Sequence, residues 1–307
     1  MEGKIQKING LYPITVIDAV KIGDGTSGTL REYLSRNYQR LAPATEVEIA
    51  KVAPWDEVIH RGLYSAIAPE NTIQASYEAL KAGYKWVECD VRFSSDNIPV
   101  LSHNATVDGT VDGAATTLTI ASSTAEQLAK LVLSSNTTYG DIHVPTLDDF
   151  MMFAAMYGMG VVIDIKAIPS SAQTAMHNIA VCVLGHAMQD RVVYMPQTTT
   201  AAGYIAEVDK NACFDFVAYD TIPSDLTPYI SLLNGANTVG FDFEAVVGGN
   251  TANIDALRSA GLSVSYWNVR ATAYTGQLAT CPIRVTYQSG QEGEDLTNKY
   301  LESVTFW

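Results

Sequence analysis

The run Trp86–Phe93, W-V-E-C-D-V-R-F, sets two acids two residues apart in a stretch otherwise dominated by β-branched, aromatic and apolar residues. Such a stretch reads as a strand. Side chains alternate faces along a strand, so Glu88 and Asp90 share one face and Cys89 points to the other. Two like charges on one face are costly to bury unless they are paired. Either the strand lies at an edge with its acids in water, or a cation sits against both. Acids are mostly exposed, and for this run by itself that favours the edge. If a cation is bound, an all-oxygen set suits Mg²⁺ or Ca²⁺ better than zinc.

The company of this strand shifts the balance. Within residues 59–103 the chain also places His60, Arg61, Glu70, Asn71 and His103. Imidazole moves protons near neutral pH. A guanidinium binds phosphate oxygens, and paired carboxylates hold a divalent ion. Together these are the parts that metal-assisted phosphodiester cleavage requires.

The ordered motifs H-R-G at 60–62, P-E-N-T at 69–72, E-C-D-V at 88–91 and a strand ending in His103 resemble the glycerophosphodiester phosphodiesterase family, over roughly residues 56–290. The resemblance implies an α/β fold, a (β/α)₈ TIM barrel of the phospholipase C-like phosphodiesterase type. It also implies one divalent metal, Mg²⁺ or Ca²⁺, and a pair of catalytic histidines. The family carries a third metal carboxylate in an E-x-K pattern; here the run V-V-I-D-I-K at 161–166 offers Asp164 and Lys166 on one strand face. Without the other motifs this acid–lysine pair reads as a structural salt bridge. By resemblance, Glu88, Asp90 and Asp164 are the metal ligands, Arg61 and Lys166 the phosphate-binding cations, and His60 and His103 the general base and acid. The sequence leaves the reverse assignment of the histidines open. Glu70 and Asn71 fall to the substrate pocket, Glu70 orienting the glycerol or supporting the metal indirectly. Trp267, in Y-W-N-V-R, matches a pocket tryptophan of the family; an ordinary core tryptophan is the alternative. Asn104 and Tyr287 stand where the family has acids, and Asp164 is shorter than the family's glutamate.

The 307 residues accommodate a barrel of about 250 residues, assigned here to 54–307, and leave a small appendage at 1–53. That appendage resembles N-terminal segments of phage tail and baseplate proteins. This implies either an attachment segment that trimerises the chain or a cap folded on the barrel. The first places the protein on a virion or outside the cell with a host teichoic acid as substrate; the second leaves small glycerophosphodiesters. A net charge of −14 argues against a nucleic-acid partner. No apolar run of about 18 residues is present, so no membrane span is expected, and the N-terminus lacks the apolar core of a secretory leader. The four cysteines show no paired spacing and read as free thiols.

Three expectations concern local structure. Residues 104–123 read as a polar excursion and Thr124 to about Leu133 as a helix. Nine strand candidates compete for eight barrel positions, and the connection from Phe93 to Pro99 is short for a parallel crossover. His143, His177 and His186 read as loop or helix residues without carboxylate partners. Three functions remain in competition: an active hydrolase, a barrel that binds wall glycerophosphate polymers without turnover, and a lyase that stops at a cyclic phosphate.

Overall fold

The computed structural model describes residues 57–218, 221–244, 251–269 and 285–288. The proposed appendage at 1–53 and Cys281 lie outside these residues. In chain order the elements begin with β1 (Glu57–His60), α1 (Ile73–Lys81), β2 (Trp86–Phe93), β3 (Pro99–Leu101), β4 (Thr106–Val111) and β5 (Ala114–Thr119). They continue with α2 (Ala125–Ala129), β6 (Val132–Asn136), β7 (Gly140–His143), α3 (Leu147–Tyr157), β8 (Gly160–Ile165) and α4 (Ala172–Gly185). The last are β9 (Val192–Met195), α5 (Thr199–Val208), β10 (Cys213–Ala218), α6 (Thr227–Ile230), β11 (Val239–Glu244), α7 (Thr251–Ser259), β12 (Ser263–Val269) and β13 (Val285–Gln288).

Eight of these strands close into a parallel ring: β1, β2, β8, β9, β10, β11, β12 and β13, with β13 returning to pair with β1. The surplus strand is β3. It runs antiparallel on the far end of β2, where Val91 faces Leu101, beyond the residues of β2 that pair with β1. The short connection is therefore a hairpin and needs no crossover helix.

The ring closes around a packed interior. Val58, Trp86, Val162, Val193 and Met195 form one buried cluster, contributed by β1, β2, β8 and β9. Trp86 stands beside Gly160 in register, and a Cβ on that glycine would lie 2.3 Å from the indole. The glycine is what lets the largest side chain occupy this end of the barrel. On the opposite strand face Val87, Cys89, Val91, Val161, Ile163 and Ile165 are all buried under the helices. Burying a Val or Ile side chain stabilises by roughly 1.5–3 kcal/mol, so the alternation of β2 and β8 fixes their register strongly.

The polar excursion is structured. Residues 106–143 form a four-stranded antiparallel sheet in the order β5-β4-β6-β7. Asp112 and Gly113, both with positive φ (50° and 79°), make the tight turn between β4 and β5. The expected helix at 124–133 is cut to α2, and the remainder becomes β6. A small core of Val100, Ile120, Leu128 and Val144 lies beneath.

Candidate active site

The first turn after β1 organises the site. His60 ends the strand, and Arg61 (φ 57°) and Gly62 (φ 80°) are both left-handed. At Gly62 only glycine fits, since a Cβ would come within 2.7 Å of the Ala75 carbonyl carbon in α1. This bend aims the Arg61 N–H at Glu88, to which it donates at 3.0 Å (Oε2). The Arg61 side chain then crosses the acids: Nε lies 3.0 Å from Asp90 Oδ2, and Nη1 donates to both Glu70 oxygens at 3.2 Å.

The P-E-N-T motif divides its labour. Thr72 caps α1, its hydroxyl accepting from the Ala75 N–H at 3.2 Å. Asn71 leaves the cap to its neighbour. It is 4% exposed, its Nδ2 donates to Asp90 Oδ2 at 2.7 Å, and its Oδ1 accepts from the Asp90 N–H at 2.9 Å. Asn71 therefore stands behind Asp90, while Glu70 stands at the Arg61 guanidinium.

Asp90 and Asp164 are direct register partners on β2 and β8. Lys166 follows β8 and reaches both, with Nζ 2.6 Å from Asp164 Oδ2 and 3.0 Å from Asp90 Oδ1. Glu88, Asp90 and Asp164 each offer one oxygen, and these oxygens lie within 4.8 Å of one another. Burial raises the Glu88 carboxyl well above its ordinary range, and the charges of Asp90 and Asp164 add to the rise. Burial likewise raises Asp164, with Asp90 adding to the rise against the pull of Lys166. At Asp90 burial acts in the same sense, but Lys166, Arg61 and the Asn71 hydrogen bond outweigh it and hold the carboxyl below its usual value.

Three carboxylates facing two cations leave one negative charge uncompensated among these five side chains. The buried Asp90 Oδ1 also has no well-aligned hydrogen-bond donor, despite its ion pair with Lys166. Hard oxygen ligands, buried and mutually repelling, with an under-satisfied oxygen, fit a divalent cation of the Mg²⁺ or Ca²⁺ type.

The histidines flank this cluster. His60 Nε2 is 3.8 Å from Glu88 Oε2, and its buried Nδ1 has no hydrogen-bond partner. Burial, reinforced by Arg61, lowers its pKa to about 3, so the imidazole is neutral. His103 lies just beyond β3. Arg92 Nε donates to its carbonyl at 2.9 Å, and its Nδ1 is 3.0 Å from Asn104 Oδ1. With the amide oxygen as acceptor, the Nδ1 of His103 carries a proton and Nε2 is outside this contact.

Trp267 lies in β12 opposite Glu244, and Tyr287 in β13 beside Ile59; both side chains lie outside the described residues. Two of the remaining histidines do have carboxylate partners, against expectation. His177 Nε2 is 2.7 Å from Glu207 and His186 Nε2 is 2.9 Å from Asp148, both pairs joining neighbouring helices. His143 is on β7, with Nδ1 3.1 Å from the Leu131 carbonyl oxygen. Sequence reasoning also passed over a buried polar pair in the barrel, where Ser265 donates to Asp215 Oδ2 at 2.5 Å.

Comparison with known proteins bears on what this geometry is. Glycerophosphodiester phosphodiesterase 1 of Mus musculus is 36% identical over 126 residues, covering 40% of this chain and 37% of the relative. The chain thus spans little more than a third of the length of that relative. A probable glycerophosphodiester phosphodiesterase 1 of Mycobacterium tuberculosis is 27% identical over 228 residues, 69% of this chain and 81% of the relative. Among solved structures, an Oleispira antarctica phosphodiesterase in complex with the product sn-glycerol-3-phosphate superposes with a TM-score of 0.64 at 21% identity, covering 76% of this chain and 92% of that one. Residues 60–284 match the glycerophosphoryl diester phosphodiesterase family, whose span runs from the histidine of the H-R-G turn through both acid-bearing strands, and the chain belongs to that family.

Proposed function

We propose that this chain hydrolyses glycerophosphodiesters to glycerol 3-phosphate and an alcohol. The observation that carries the reading is the convergence of three carboxylates, two cations and a neutral histidine at the ends of β1, β2 and β8. The names of the curated relatives and of the Oleispira antarctica complex support the substrate class.

A divalent ion held by Glu88, Asp90 and Asp164 would supply charge neutralisation for the phosphoryl oxygens as negative charge grows there. Arg61 and Lys166 bring fixed positive charge to the same oxygens. Glu70 holds the Arg61 fork in place. His60, which closes β1 beside Glu88, is assigned the proton of the attacking hydroxyl by its place in the H-R-G turn. His103, held at Nδ1 by Asn104, is suited to deliver the Nε2 proton of its imidazolium form to the departing alkoxide, which leaves the neutral Nδ1–H ring. Asp164 in place of a longer glutamate stays close to Lys166, which supports a ligand role shared with that ion pair.

The resemblance of residues 1–53 to tail and baseplate segments extends the substrate class to glycerophosphate polymers of a host wall, carried by a trimer. Light scattering of the full chain and of a chain lacking residues 1–50 tests that extension; a monomer in both cases contradicts it.

Phosphorus NMR of a reaction with glycerophosphocholine tests the reaction itself. Glycerol 3-phosphate as the final product is expected. Accumulation of a cyclic phosphate identifies a lyase, and binding without any turnover identifies a barrel used for attachment.

A further inference from the structure

A second set of metal-binding side chains lies away from the carboxylate cluster, between two helices. Asp148 is in the first turn of α3, and Cys182 and His186 stand four residues apart at the end of α4. That spacing puts the thiol and the imidazole on one helix face. His186 Nε2 is 2.9 Å from Asp148 Oδ1, and Cys182 Sγ is 3.8 Å from the same oxygen. The three donor atoms lie within 4.8 Å of one another. Cys182 is buried, the His186 side chain is 10% exposed and that of Asp148 is 42% exposed.

We propose that Asp148, Cys182 and His186 form a zinc site with a fourth vertex open to solvent. Zinc takes sulfur at about 2.3 Å and nitrogen or oxygen at about 2.0–2.2 Å, which sets tetrahedral donors roughly 3.3–3.7 Å apart. The Cys182–Asp148 separation is already near this range. The His186–Asp148 contact must open by about half an ångström, and the exposed Asp148 is free to swing that far. Thiolate and imidazole select zinc over Mg²⁺ and Ca²⁺, so this site and the all-oxygen cluster take different ions. On binding, the Cys182 thiol releases its proton to solvent and the sulfur forms the bond to the metal, with no change of oxidation state. Residues 34 and 38 positions apart in the chain become linked, and α3 is tied to α4. The thiol and the imidazole both meet the same Asp148 oxygen, the convergence that three ligands of one ion would show.

Cobalt(II) is the probe, because thiolate ligation gives a charge-transfer band in the near ultraviolet that oxygen ligands do not. The full chain, stripped with EDTA and desalted, is titrated with Co²⁺. One equivalent is expected to produce the band. Cys182→Ser should abolish it, His186→Gln should weaken cobalt binding at least tenfold, and Glu88→Gln should leave it intact. Zinc should raise the thermal midpoint of the parent chain and not of His186→Gln. No band in the folded parent chain overturns the proposal, as does a band unchanged in Cys182→Ser, which would belong to another thiol. If Cys182→Ser does not fold, the His186→Gln titration decides: undiminished affinity there overturns the site. The band is independent of phosphodiester turnover, so failure of the proposed activity and failure of the zinc site are read separately.

Discussion

Asn71 holds Asp90 by both ends of its amide: Nδ2 donates to the carboxylate at 2.7 Å and Oδ1 accepts from the Asp90 N–H at 2.9 Å. This contact fixes one acid of the cluster from behind, while Arg61 and Lys166 approach from the side. Asn71 also adopts a left-handed backbone (φ 56°), which asparagine tolerates better than most residues. Its side chain and its backbone are thus both specified by the site.

Asn71→Asp keeps the size and the backbone preference but replaces the donor with a carboxylate facing Asp90. Metal affinity is expected to fall about 10–100-fold, as for other groups that orient a ligand from behind. Stability is expected to drop by about 1–3 kcal/mol through the lost buried hydrogen bond. Calorimetric Mg²⁺ titration and urea unfolding measure the two effects.

Glu88 and His103 should separate in their failures. Glu88→Ala removes a carboxylate of the cluster, so metal binding and activity are expected to be lost together. His103→Ala should keep metal affinity within a few-fold while turnover falls about 10²–10⁴-fold, the usual worth of a positioned acid or base. Parallel metal titrations and kinetics distinguish the two patterns. Full metal affinity in Glu88→Ala contradicts its assignment as a ligand.

His60 gives a pH signature to the metal-free protein. Its folded-state pKa, lowered to about 3 by burial and then by Arg61, lies below the unfolded value of 6.5. Between these values the unfolded chain binds the extra proton, so the His60 contribution to stability is full above pH 6.5 and lost as the pH falls toward 3. The whole contribution is on the order of 5 kcal/mol. Glu88 and Asp164, whose pKa values are raised, act in the opposite sense, so the comparison must be with His60→Gln. Unfolding in EDTA from pH 7 to pH 4 should show the parent chain losing stability relative to His60→Gln.

Gly62 explains the glycine of the H-R-G motif. Gly62→Ala must place a Cβ 2.7 Å from backbone of α1 while holding φ at 80°. A loss of about 1–3 kcal/mol is expected. Turnover should also fall, because Arg61 reaches Glu88 and Asp90 only through this bend. Denaturant unfolding with steady-state kinetics tests both.

Much of the barrel was legible because its strands carry regular alternation. In W-V-E-C-D-V-R-F and V-V-I-D-I-K, period two puts the acids inside and Cys89, Ile163 and Ile165 beneath the helices. The sheet at 106–143 escaped because its strands are rich in Thr, Gly and Ser and bury little. Its one strong signal, Val111-Asp112-Gly113-Ala114, is a hairpin turn set in a polar run that otherwise reads as loop. Lys130-Leu131-Val132-Leu133 follows a good helix start and reads as its continuation, yet Val132 pairs with Thr110. Motif order groups the acids, cations and His60 in the sequence, whereas the pairing of Asn71 with Asp90 has no local signal, since cap and clamp look alike in P-E-N-T. The His186–Asp148 contact joins residues 38 apart on different helices, and no local pattern announces it.

The most direct test of the central reading is hydrolysis of glycerophosphocholine by EDTA-stripped protein, with Mg²⁺ or Ca²⁺ restored in separate arms. The account predicts no release of glycerol 3-phosphate from the stripped protein and restored release with one of the two ions. Turnover indifferent to EDTA, or no turnover of this diester and of polyglycerolphosphate with metal restored, would contradict it.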